Sequence, residues 1–438
     1  MPQLKEQGSS EAISHSAEQT ESSLRSSISG IDKVSKGLIK NSATSKDAER
    51  HRIEIQTLLA MKKTYHIPTL PLPYDLESKS VLRQLAKANR KLAELKGVAL
   101  TIPNEQILIN TLTLQEAKDS SAVENIVTTQ DELYKAGLQI NDNAINAATK
   151  EVLRYREAIS DGFHLVKQHN ILTLNTIKDI QLTLVENNAG FRTIPGTKLE
   201  NSSTKEVVYT PPQDPAEIMR LMENLESFIN NPTMSELDPL IKMAIIHHQF
   251  ESIHPFYDGN GRTGRIVNIL YLVLTGLLDL PILYLSRFIT HNKAEYYRLI
   301  QAIRDKENDN AKEWEDWIIF ILKGVEETSD DTIRLIKDMS SLMQKDKNIL
   351  RPLFEHQYKH ELLNNLFFHP YTKIEFMQND LRVHRVTAAR YLDRIVETGI
   401  LRKVKIGREN YYINEELMKL FSEVNTNNGQ PISTIESK

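Results

Sequence analysis

The sequence predicts a mainly α-helical protein with one short β-hairpin and a small helix-and-hairpin module near its C-terminal end. Apolar residues recur at helical spacing along much of the 438-residue chain, as they do from Leu82 to Leu95. Two short β-prone segments, 190–194 and 206–210, interrupt that pattern. After about Leu350 the pattern changes to two short helices followed by a hairpin. A helical bundle is therefore the predicted core.

Composition excludes several classes of protein. The chain has no cysteine, so it contains no disulfide bond, thiolate metal site or cysteine nucleophile, and a reducing compartment, the cytoplasm, is expected. The net charge of -4 gives the whole chain no nucleic-acid or membrane signature. The apolar segment 266–285 approaches membrane-spanning length, but Asn268, Asp279 and Pro281 interrupt it. No membrane partner is expected.

The N-terminal part of the chain divides into a tail and a helical module. Residues 1–46 are rich in Ser, Glu, Gln and Lys, a composition that predicts disorder. Further along, Thr113–Glu116 has the pattern of a capping box and predicts a helix from there to about Thr129. Ser120 and Glu124 are four residues apart, so they lie on one face of that helix.

The central feature of the sequence is the polar segment His254–Arg265, which lies between two strongly apolar helical segments. Gly259 and Gly261 flank Asn260, so the backbone can approach a ligand closely and direct several N–H groups at one anion. The next helix is predicted to begin at about residue 262, and its N-terminal end adds a second attraction for phosphate.

The charged side chains of this segment suit the same ligand. Arg262 and Arg265 are three residues apart on one helical face and can bind phosphate oxygens in a bidentate manner. Asp258 would repel a phosphate unless a divalent cation lay between them, which implies Mg²⁺. His254 is expected to keep a pKa near neutrality and to accept a proton from an incoming hydroxyl.

Two simpler interpretations of the segment remain open. The Gly-Asn-Gly turn can serve only to join two helices, with His254 as an ordinary core histidine. His247, His248 and His254 can also be read as zinc ligands, although no second cluster at ligand spacing supports that reading.

With these residues in place, the segment resembles the HxFx(D/E)GNGRxxR signature of the Fic family at every specified position. The resemblance implies that His254 is the general base, that Asp258 binds Mg²⁺, and that AMP moves from ATP to a protein hydroxyl. The implied ATP-binding residues are Asp258, Gly259, Asn260, Gly261, Arg262, Thr263, Gly264 and Arg265. Relatives that act as kinases carry lysine at the position of Gly261, so glycine here favours AMP transfer.

The segment Ser120–Asn125 matches the pattern (S/T)xxxE(G/N), which resembles the inhibitory motif of Fic proteins. This resemblance implies that Ser120, Glu124 and Asn125 form an inhibitory element and that the Glu124 carboxylate pairs with Arg265. The alternative is an ordinary solvated glutamate on a helix.

Two further parts of the site follow from the same resemblance. The β-prone segments look like the hairpin flap that covers the nucleotide pocket, with Val207, Val208 and Tyr209 beside the ligand. A target segment could add to the flap as a strand and present its hydroxyl to His254. Tyr296 is expected near the adenosine. A plain surface hairpin and simple packing of Tyr296 are the alternatives.

The C-terminal module resembles a winged helix. Between Asp380 and Tyr412 it contains eight Lys or Arg residues and four acidic residues, which suits contact with the DNA backbone, although wings also bind proteins. The predicted segments are a disordered tail (1–46), an N-terminal module with the inhibitory helix (47–130), a catalytic domain (131–330), a linker helix (331–349) and a winged-helix domain (350–424).

Together these features predict an autoinhibited protein adenylyltransferase. It would transfer AMP from MgATP to a Ser, Thr or Tyr hydroxyl of a target protein and of itself, releasing pyrophosphate. One alternative is a winged-helix transcription regulator whose Fic-like domain senses a nucleotide, and another is an enzyme that removes AMP at the same site. The target protein and the oligomeric state, a homodimer included, stay open.

Overall fold

The computed structural model describes residues 65–137, 145–201, 204–306, 310–406 and 409–423. The predicted tail, 1–46, lies outside them. The α-helices are, in chain order, α1 (Lys79–Ala99), α2 (Glu105–Val123), α3 (Gln130–Gly137), α4 (Ala147–His169), α5 (Leu174–Val185), α6 (Pro215–Asn230), α7 (Pro239–Ile253), α8 (Asn260–Leu274), α9 (Leu285–His291), α10 (Lys293–Arg304), α11 (Ala311–Phe354), α12 (His360–Phe368), α13 (Ile374–Leu381), α14 (Arg385–Glu397) and α15 (Glu415–Glu423). The strands are β1 (Leu199–Glu200), β2 (Val207–Tyr209), β3 (Tyr371–Lys373), β4 (Arg402–Ile406) and β5 (Glu409–Ile413). The prediction of a mainly α-helical fold is confirmed.

Helices α7 and α8 form the centre of the bundle. The Asp238 side chain accepts a hydrogen bond from the N–H of Leu240 at 2.8 Å and so caps α7, whose first residue is a proline. Every residue of α7 after that proline is buried. Trp317 on α11 packs against the helix and donates its indole N–H to the carbonyl of Ala244 at 2.8 Å. The polar loop between α7 and α8 is therefore held by a rigid, fully buried scaffold.

The helix that carries Ser120 begins earlier than the sequence pattern predicts. Asn104 caps α2, accepting a hydrogen bond from Gln106 N at 3.1 Å, so the predicted start at Thr113–Glu116 is wrong. Those residues lie in the middle of α2, where the Thr113 hydroxyl bonds to the carbonyl of Ile109 and Glu116 is buried. The helix ends at Val123, which places Glu124 at its C-terminal end.

The two-stranded flap differs from the prediction in its first strand. β1 pairs with β2 in antiparallel register, with Leu199 opposite Tyr209, whereas the β-prone segment 190–194 is a loop. This segment is a loop because of Tyr257, which lies between α7 and α8. The Tyr257 hydroxyl accepts hydrogen bonds from the N–H groups of Thr193 and Ile194 at 2.9 and 3.0 Å. These bonds occupy backbone donors that a strand would need.

A single helix spans the end of the bundle and the start of the C-terminal module. Helix α11 runs through both ends of the predicted linker, 331–349, without a break. Helix α1 packs along it. The bundle and the C-terminal module are therefore joined by continuous helix.

The C-terminal module has the predicted order of two helices followed by a hairpin, with strands in the order β3-β5-β4 and α12 in front of them. It packs on the N-terminal part of the bundle. Tyr134 of α3 stacks on the rings of Tyr371 and Phe421, with centroids 5.9 and 6.2 Å apart. Asn110 of α2 donates to the carbonyl of Phe368 at 2.9 Å. The helix that carries the inhibitory motif thus contacts this module directly.

Among the helices of the described ranges, none has both the length and the apolar character needed to cross a membrane.

Candidate active site

The loop between α7 and α8 is fixed by its own backbone geometry. His254 ends α7 in the left-handed region, with φ 48° and ψ 57°, and Gly259 precedes α8 with φ 79°. A Cβ atom on Gly259 would also lie only 3.0 Å from Val185, so glycine suits this position on both grounds. The Asn260 side chain bonds to both the N–H and the carbonyl of Phe256 at 2.8 Å. Asn260 therefore fastens the loop from within.

An arginine that the sequence analysis did not identify holds the same loop from the side. Arg192, which is 1% exposed, donates its Nε hydrogen to the carbonyl of His254 at 2.8 Å. Its backbone N–H donates to the carbonyl of Pro255 at 2.7 Å. No motif marks Arg192 in the sequence, because its role depends on tertiary contact with a distant loop. It is a positioning residue for His254.

Beside this loop lies an open cavity of about 560 Å³. Its lining residues come from the end of α2, the flap, α7, α10 and the segment 254–265, which was expected to bind phosphate and is called the phosphate loop below. They are Val123, Glu124, Asn125, Lys198, Leu199, Glu200, Asn201, Val208, Tyr209, Glu251, His254, Gly261, Lys293, Tyr297, Ile300, Gln301 and Arg304. Six residues named from the sequence therefore line the same cavity: Glu124, Asn125, Val208, Tyr209, His254 and Gly261.

The protonation state of His254 differs from the near-neutral pKa expected from the sequence. Burial, together with the positive charges of Arg304 and Arg192, lowers the pKa of His254 to about 3. At neutral pH the imidazole is therefore uncharged, which is the form that can accept a proton. The expectation failed because sequence reveals neither burial nor the neighbouring arginines.

Arg265 pairs with Glu124, as the sequence analysis expected. Its Nη2 lies 3.0 Å from Glu124 Oε1 and donates to the carbonyl of Ser120 at 3.0 Å. Its Nε donates to the Ser120 hydroxyl at 2.7 Å. The guanidinium is 3% exposed and does not border the cavity, whereas Glu124 does. Glu124 therefore separates Arg265 from the space where a ligand would lie.

The carboxylate of Glu124 also presses against the phosphate loop. A Cβ atom on Gly261 would overlap Glu124 Oε1 and would lie 3.1 Å from Arg265 Nη1. Asn125 follows in the left-handed region with φ 64°, and its Oδ1 accepts a hydrogen bond from Lys293 at 3.0 Å. Glu124 and Asn125 thus make specific contacts at one corner of the cavity, while Ser120 binds Arg265 behind it.

Arg262 and Asp258 lie on the other side of the loop. Arg262 Nη1 pairs with Glu151 of α4 at 2.9 Å, and its Nη2 is 3.8 Å from Asp258 Oδ1. The Arg262 side chain is 5% exposed, while that of Asp258 is 75% exposed. In the described part of the chain, no three His, Cys, Asp or Glu side chains gather into a metal site. A metal ion here would depend on the single Asp258 carboxylate and on ligand oxygens.

Two residues at the unspecified positions of the signature, Thr263 and Gly264, do not border the cavity. Thr263 is fully buried, and a Cβ atom on Gly264 would lie 3.0 Å from the Phe250 ring of α7. A small residue is therefore needed at position 264, where α8 meets α7.

Tyr296, expected beside the adenosine, does not border the cavity, whereas the next residue does. Tyr296 is 1% exposed, and its hydroxyl lies 2.9 Å from His247 Nε2 in the core, so it does not border the cavity. Tyr297 is 46% exposed and lines the cavity. In the flap, Val208 and Tyr209 border the cavity, while Val207 lies outside it and is half-exposed.

Among the charged wall residues that the sequence analysis did not name, Glu251 and Arg304 interact with His254. Glu251 lies in the last turn of α7, three residues before the C-cap His254. Arg304, at the end of α10, donates to the Ser252 hydroxyl at 3.1 Å and lies over the Tyr209 ring at 4.0 Å. The spacing of Glu251 was a usable signal, whereas nothing local in the sequence identifies Arg304.

Three family models match this chain. They are "Fic/DOC family N-terminal" over residues 82–164, "Fic/DOC family" over residues 171–272, and "Protein adenylyltransferase SoFic-like, C-terminal domain" over residues 342–417. The second of these covers both the flap and the central loop. The third covers most of the C-terminal module.

Curated relatives match between 20% and 45% of the chain. "Protein adenylyltransferase Fic" of Drosophila mojavensis is 27% identical over 34% of this chain and 29% of that protein. "Protein adenylyltransferase fic-1" of Caenorhabditis elegans is 31% identical over 20% of this chain and 16% of that protein. The Drosophila grimshawi protein is 25% identical, over 45% and 41%. The chain thus spans less than half the length of these relatives.

Solved structures match the chain at lower sequence identity than these relatives. A Fic family protein from Desulfovibrio desulfuricans has 18% identity and a TM-score of 0.48, covering 82% of this chain and 99% of that one. A Fic domain containing signaling protein from Bacteroides thetaiotaomicron has 17% identity and a TM-score of 0.46, covering 57% and 97%.

Proposed function

Because this chain belongs to the Fic/DOC family, we propose that it is a protein adenylyltransferase. It would transfer AMP from MgATP to the hydroxyl of a Ser, Thr or Tyr side chain, on a target protein and on itself. The observation that carries the proposal is that an uncharged histidine, His254, and the phosphate loop at Gly261 border the same cavity. A base and an anion site at one wall are what this transfer needs.

The proposed reaction is a direct displacement at the α-phosphorus of ATP. The hydroxyl oxygen of the target forms a bond to the α-phosphorus while its proton passes to the His254 imidazole. The bond from the α-phosphorus to the bridging oxygen breaks, and pyrophosphate leaves with that oxygen. Arg192 keeps the His254 backbone in place through the 2.8 Å bond to its carbonyl. Positioning of this kind can contribute several kcal/mol, on the order of 7 to 11 in model systems.

Asp258 suits a magnesium ion shared with the nucleotide. Its side chain is largely exposed, and Mg²⁺ in nucleotide sites commonly takes one or two carboxylates plus phosphate oxygens and water. When bound, the ion would neutralise charge on the phosphates. The Asp258 carboxylate would hold it, while Arg262, paired with Glu151 at 2.9 Å, would support the loop from the opposite side.

We further propose that the protein is autoinhibited by the end of α2. Arg265 is the natural partner for the terminal phosphates, but in this structure Glu124 and Ser120 use its donors. A phosphate oxygen and the Glu124 carboxylate cannot both occupy the space beside Gly261. Binding of ATP in a productive position would therefore require Glu124 to leave.

The flap offers a place for an extended target segment. β1 and β2 form a two-stranded sheet within the described residues, so each strand keeps one outer edge with unpaired backbone groups. Val207 and Val208 are half-exposed there. A segment that adds to this edge would lie along the cavity that His254 borders.

The test is incorporation of label from MgATP in a host lysate, comparing the intact protein with its Glu124→Gly and His254→Ala variants. The proposal requires label in protein with Glu124→Gly and none when His254→Ala is added to that variant. A nucleotide-sensing regulator would bind ATP but label nothing in any variant. Removal of AMP at the same site would appear as loss of label from prelabelled protein once ATP is withdrawn.

A second proposal concerns helix α14 of the C-terminal module, whose exposed N-terminal part suits duplex DNA. Val386 is 80% exposed, and Arg382, Arg385 and Arg390 are exposed without an ion pair inside the described ranges. An apolar side chain among free arginines fits a major groove, where arginines also contact phosphates. Several other basic residues counted from the sequence are engaged within the protein: Arg394 with the Leu353 carbonyl, Arg402 with Glu415, and Lys403 with Asp393.

This second proposal predicts salt-dependent binding of duplex DNA that Arg385→Ala weakens. The slope of log affinity against log salt should fall by about 0.9 for one lost phosphate contact. Arg402→Ala is the matched control, because that arginine already pairs with Glu415 at 2.5 Å. Equal effects of the two substitutions, or no DNA binding, would contradict the assignment.

A further inference from the structure

A buried carboxylate on the cavity wall takes no part in the reaction proposed above. Glu251 is 9% exposed and borders the cavity with Glu124, His254 and Gly261. Its Oε1 has no hydrogen-bond partner among the described residues. A Cβ atom on Gly264 would lie 3.3 Å from that oxygen. The carboxylate is therefore directed at the second turn of α8, at the end of the phosphate loop.

Charges of both signs face this carboxylate. The groups come from the end of α2, from α7, from α8 and from α10. They are Glu124, His254, Arg265, Tyr296, Tyr297 and Arg304. Burial raises the pKa of Glu251 to about 7, Arg265 and Arg304 oppose that rise, and Glu124 adds to it. At neutral pH the group is therefore divided between its neutral and its ionised form.

Two carboxylates, those of Glu124 and Glu251, lie near the single positive charge of Arg265. Glu124 forms the ion pair, and Glu251 acts on Arg265 through space without an ion pair of its own. If Glu124 leaves, the positive charge of Arg265 can interact either with the terminal phosphates of a nucleotide or with Glu251. Ionised Glu251 and the triphosphate then compete for the same guanidinium and repel each other.

Resting on the nucleotide site proposed above, we propose that Glu251 is a second carboxylate that weakens triphosphate binding at Arg265, separately from Glu124. The role is one of tuning affinity and does not include contact with the reacting atoms. It differs from the Glu124 contact because Glu251 is fixed within the core helix α7. No movement of α2 can withdraw it.

The direction of the pH effect follows from the charge. The triphosphate binds better when Glu251 is neutral, so affinity is highest at low pH and falls as Glu251 ionises. Loss of Glu124 removes a like charge and lowers the pKa of Glu251, so the fall should occur at lower pH in a Glu124→Gly background. A rise of one unit in the pKa of Glu251 on triphosphate binding corresponds to about a tenfold difference in affinity between proteins with neutral and with ionised Glu251.

The experiment measures binding, not turnover. The Mg²⁺ complex of ATP with a methylene group bridging the α- and β-phosphorus is titrated calorimetrically into the Glu124→Gly and Glu124→Gly/Glu251→Gln variants between about pH 5 and pH 9. The first variant should lose about tenfold in affinity as pH rises, and the second should bind tightly and with little change. Glu251→Asp in the same background keeps the charge and should keep the fall.

Asp346→Asn is the matched control for removing a buried carboxyl group. Asp346 is 2% exposed, has an oxygen without a partner and has a pKa raised by burial to about 7, but it lies on α11 and does not border the cavity. AMP, which lacks the terminal phosphates, is the control ligand and should show no dependence on Glu251. An unchanged pH profile in Glu251→Gln, with binding intact, would overturn this inference alone. Absence of nucleotide binding in every variant would overturn the proposed nucleotide site together with it.

Discussion

Replacement of Glu124 by glycine tests autoinhibition at its structural origin. The substitution removes the carboxylate that pairs with Arg265 at 3.0 Å and that lies against Gly261. Glu124 is the C-cap of α2, just past the last helical residue Val123, so its replacement removes no residue from the helix itself. The helix should therefore keep its length, and the Ser120 contacts to Arg265 should remain. Only the inhibitory carboxylate is lost.

The expected gain in ATP-accessible protein can be calculated from the contact between Glu124 and Arg265. A hydrogen bond between charged groups contributes about 1.5 to 3 kcal/mol, and about 1.4 kcal/mol corresponds to a factor of ten. Removing the contact should therefore raise the fraction of protein open to ATP by roughly 10- to 100-fold. Because Glu124 is 36% exposed, solvent screens the pair and the lower part of that range is expected.

The assay is the rate of self-modification at saturating MgATP, followed by intact mass. Glu186→Gly is the matched control, since Glu186 also ends a helix and pairs with an arginine, Arg154, at 2.5 Å, but lies outside the cavity. It should behave as wild type. Equal rates for wild type and Glu124→Gly would refute inhibition by this helix.

Two further variants separate the partners of Arg265. Arg265→Ala should lower transfer, and the double variant Glu124→Gly/Arg265→Ala should be equally poor, because the released guanidinium is then missing. Ser120→Ala should release the restraint only partly, since the Ser120 carbonyl still accepts a bond from Arg265 Nη2 at 3.0 Å. High activity in the double variant would reject Arg265 as the restrained group.

Two other residues carry predictions. His254→Ala should abolish AMP transfer while leaving nucleotide affinity nearly unchanged, because the imidazole accepts a proton and does not hold phosphate; near wild-type turnover would reject this role. Burial raises the pKa of Glu116 from 4.5 to about 8. Its contribution to stability is therefore present below about pH 4.5 and lost as pH rises through about 8. Thermal melts across that range should fall more steeply for wild type than for Glu116→Gln, and parallel curves would contradict the assignment.

The sequence predicted the parts of the site that depend on short-range pattern. The order of glycines, asparagine and arginines in 254–265 required a tight loop at a helix N-terminus, and the structure contains one. The pairing of Glu124 with Arg265 was also expected, and the two atoms lie 3.0 Å apart. In both cases the information lies within a dozen residues or in a single matched pair of charges.

Other features were missed because they depend on the surroundings of a helix. Neighbouring residues of an α-helix point about 100° apart, so a shift of one position placed the cavity-facing ring at Tyr297 and turned Tyr296 into the core. The pattern at Thr113–Glu116 is common to helix starts and helix interiors, and only the buried setting of Glu116 decides between them.

Groups that act through burial were the hardest to predict. The low pKa of His254, the raised pKa of Glu251 and the hold of Arg192 on the loop all arise from residues distant in sequence. Their causes are desolvation and tertiary hydrogen bonds, neither of which has a sequence period. The motif therefore located the residues of the candidate site without giving their electrostatics.

The measurement that tests the central claim most directly follows the label of ATP. Purified Glu124→Gly protein is incubated with Mg²⁺ and ATP labelled either at the α-phosphorus or at the γ-phosphorus, and the protein is then separated and counted. The account predicts that the α-label enters the protein, that the γ-label is released as pyrophosphate, and that His254→Ala in the same background incorporates neither. Incorporation of the γ-label, or of no label at all by a folded protein, would contradict it.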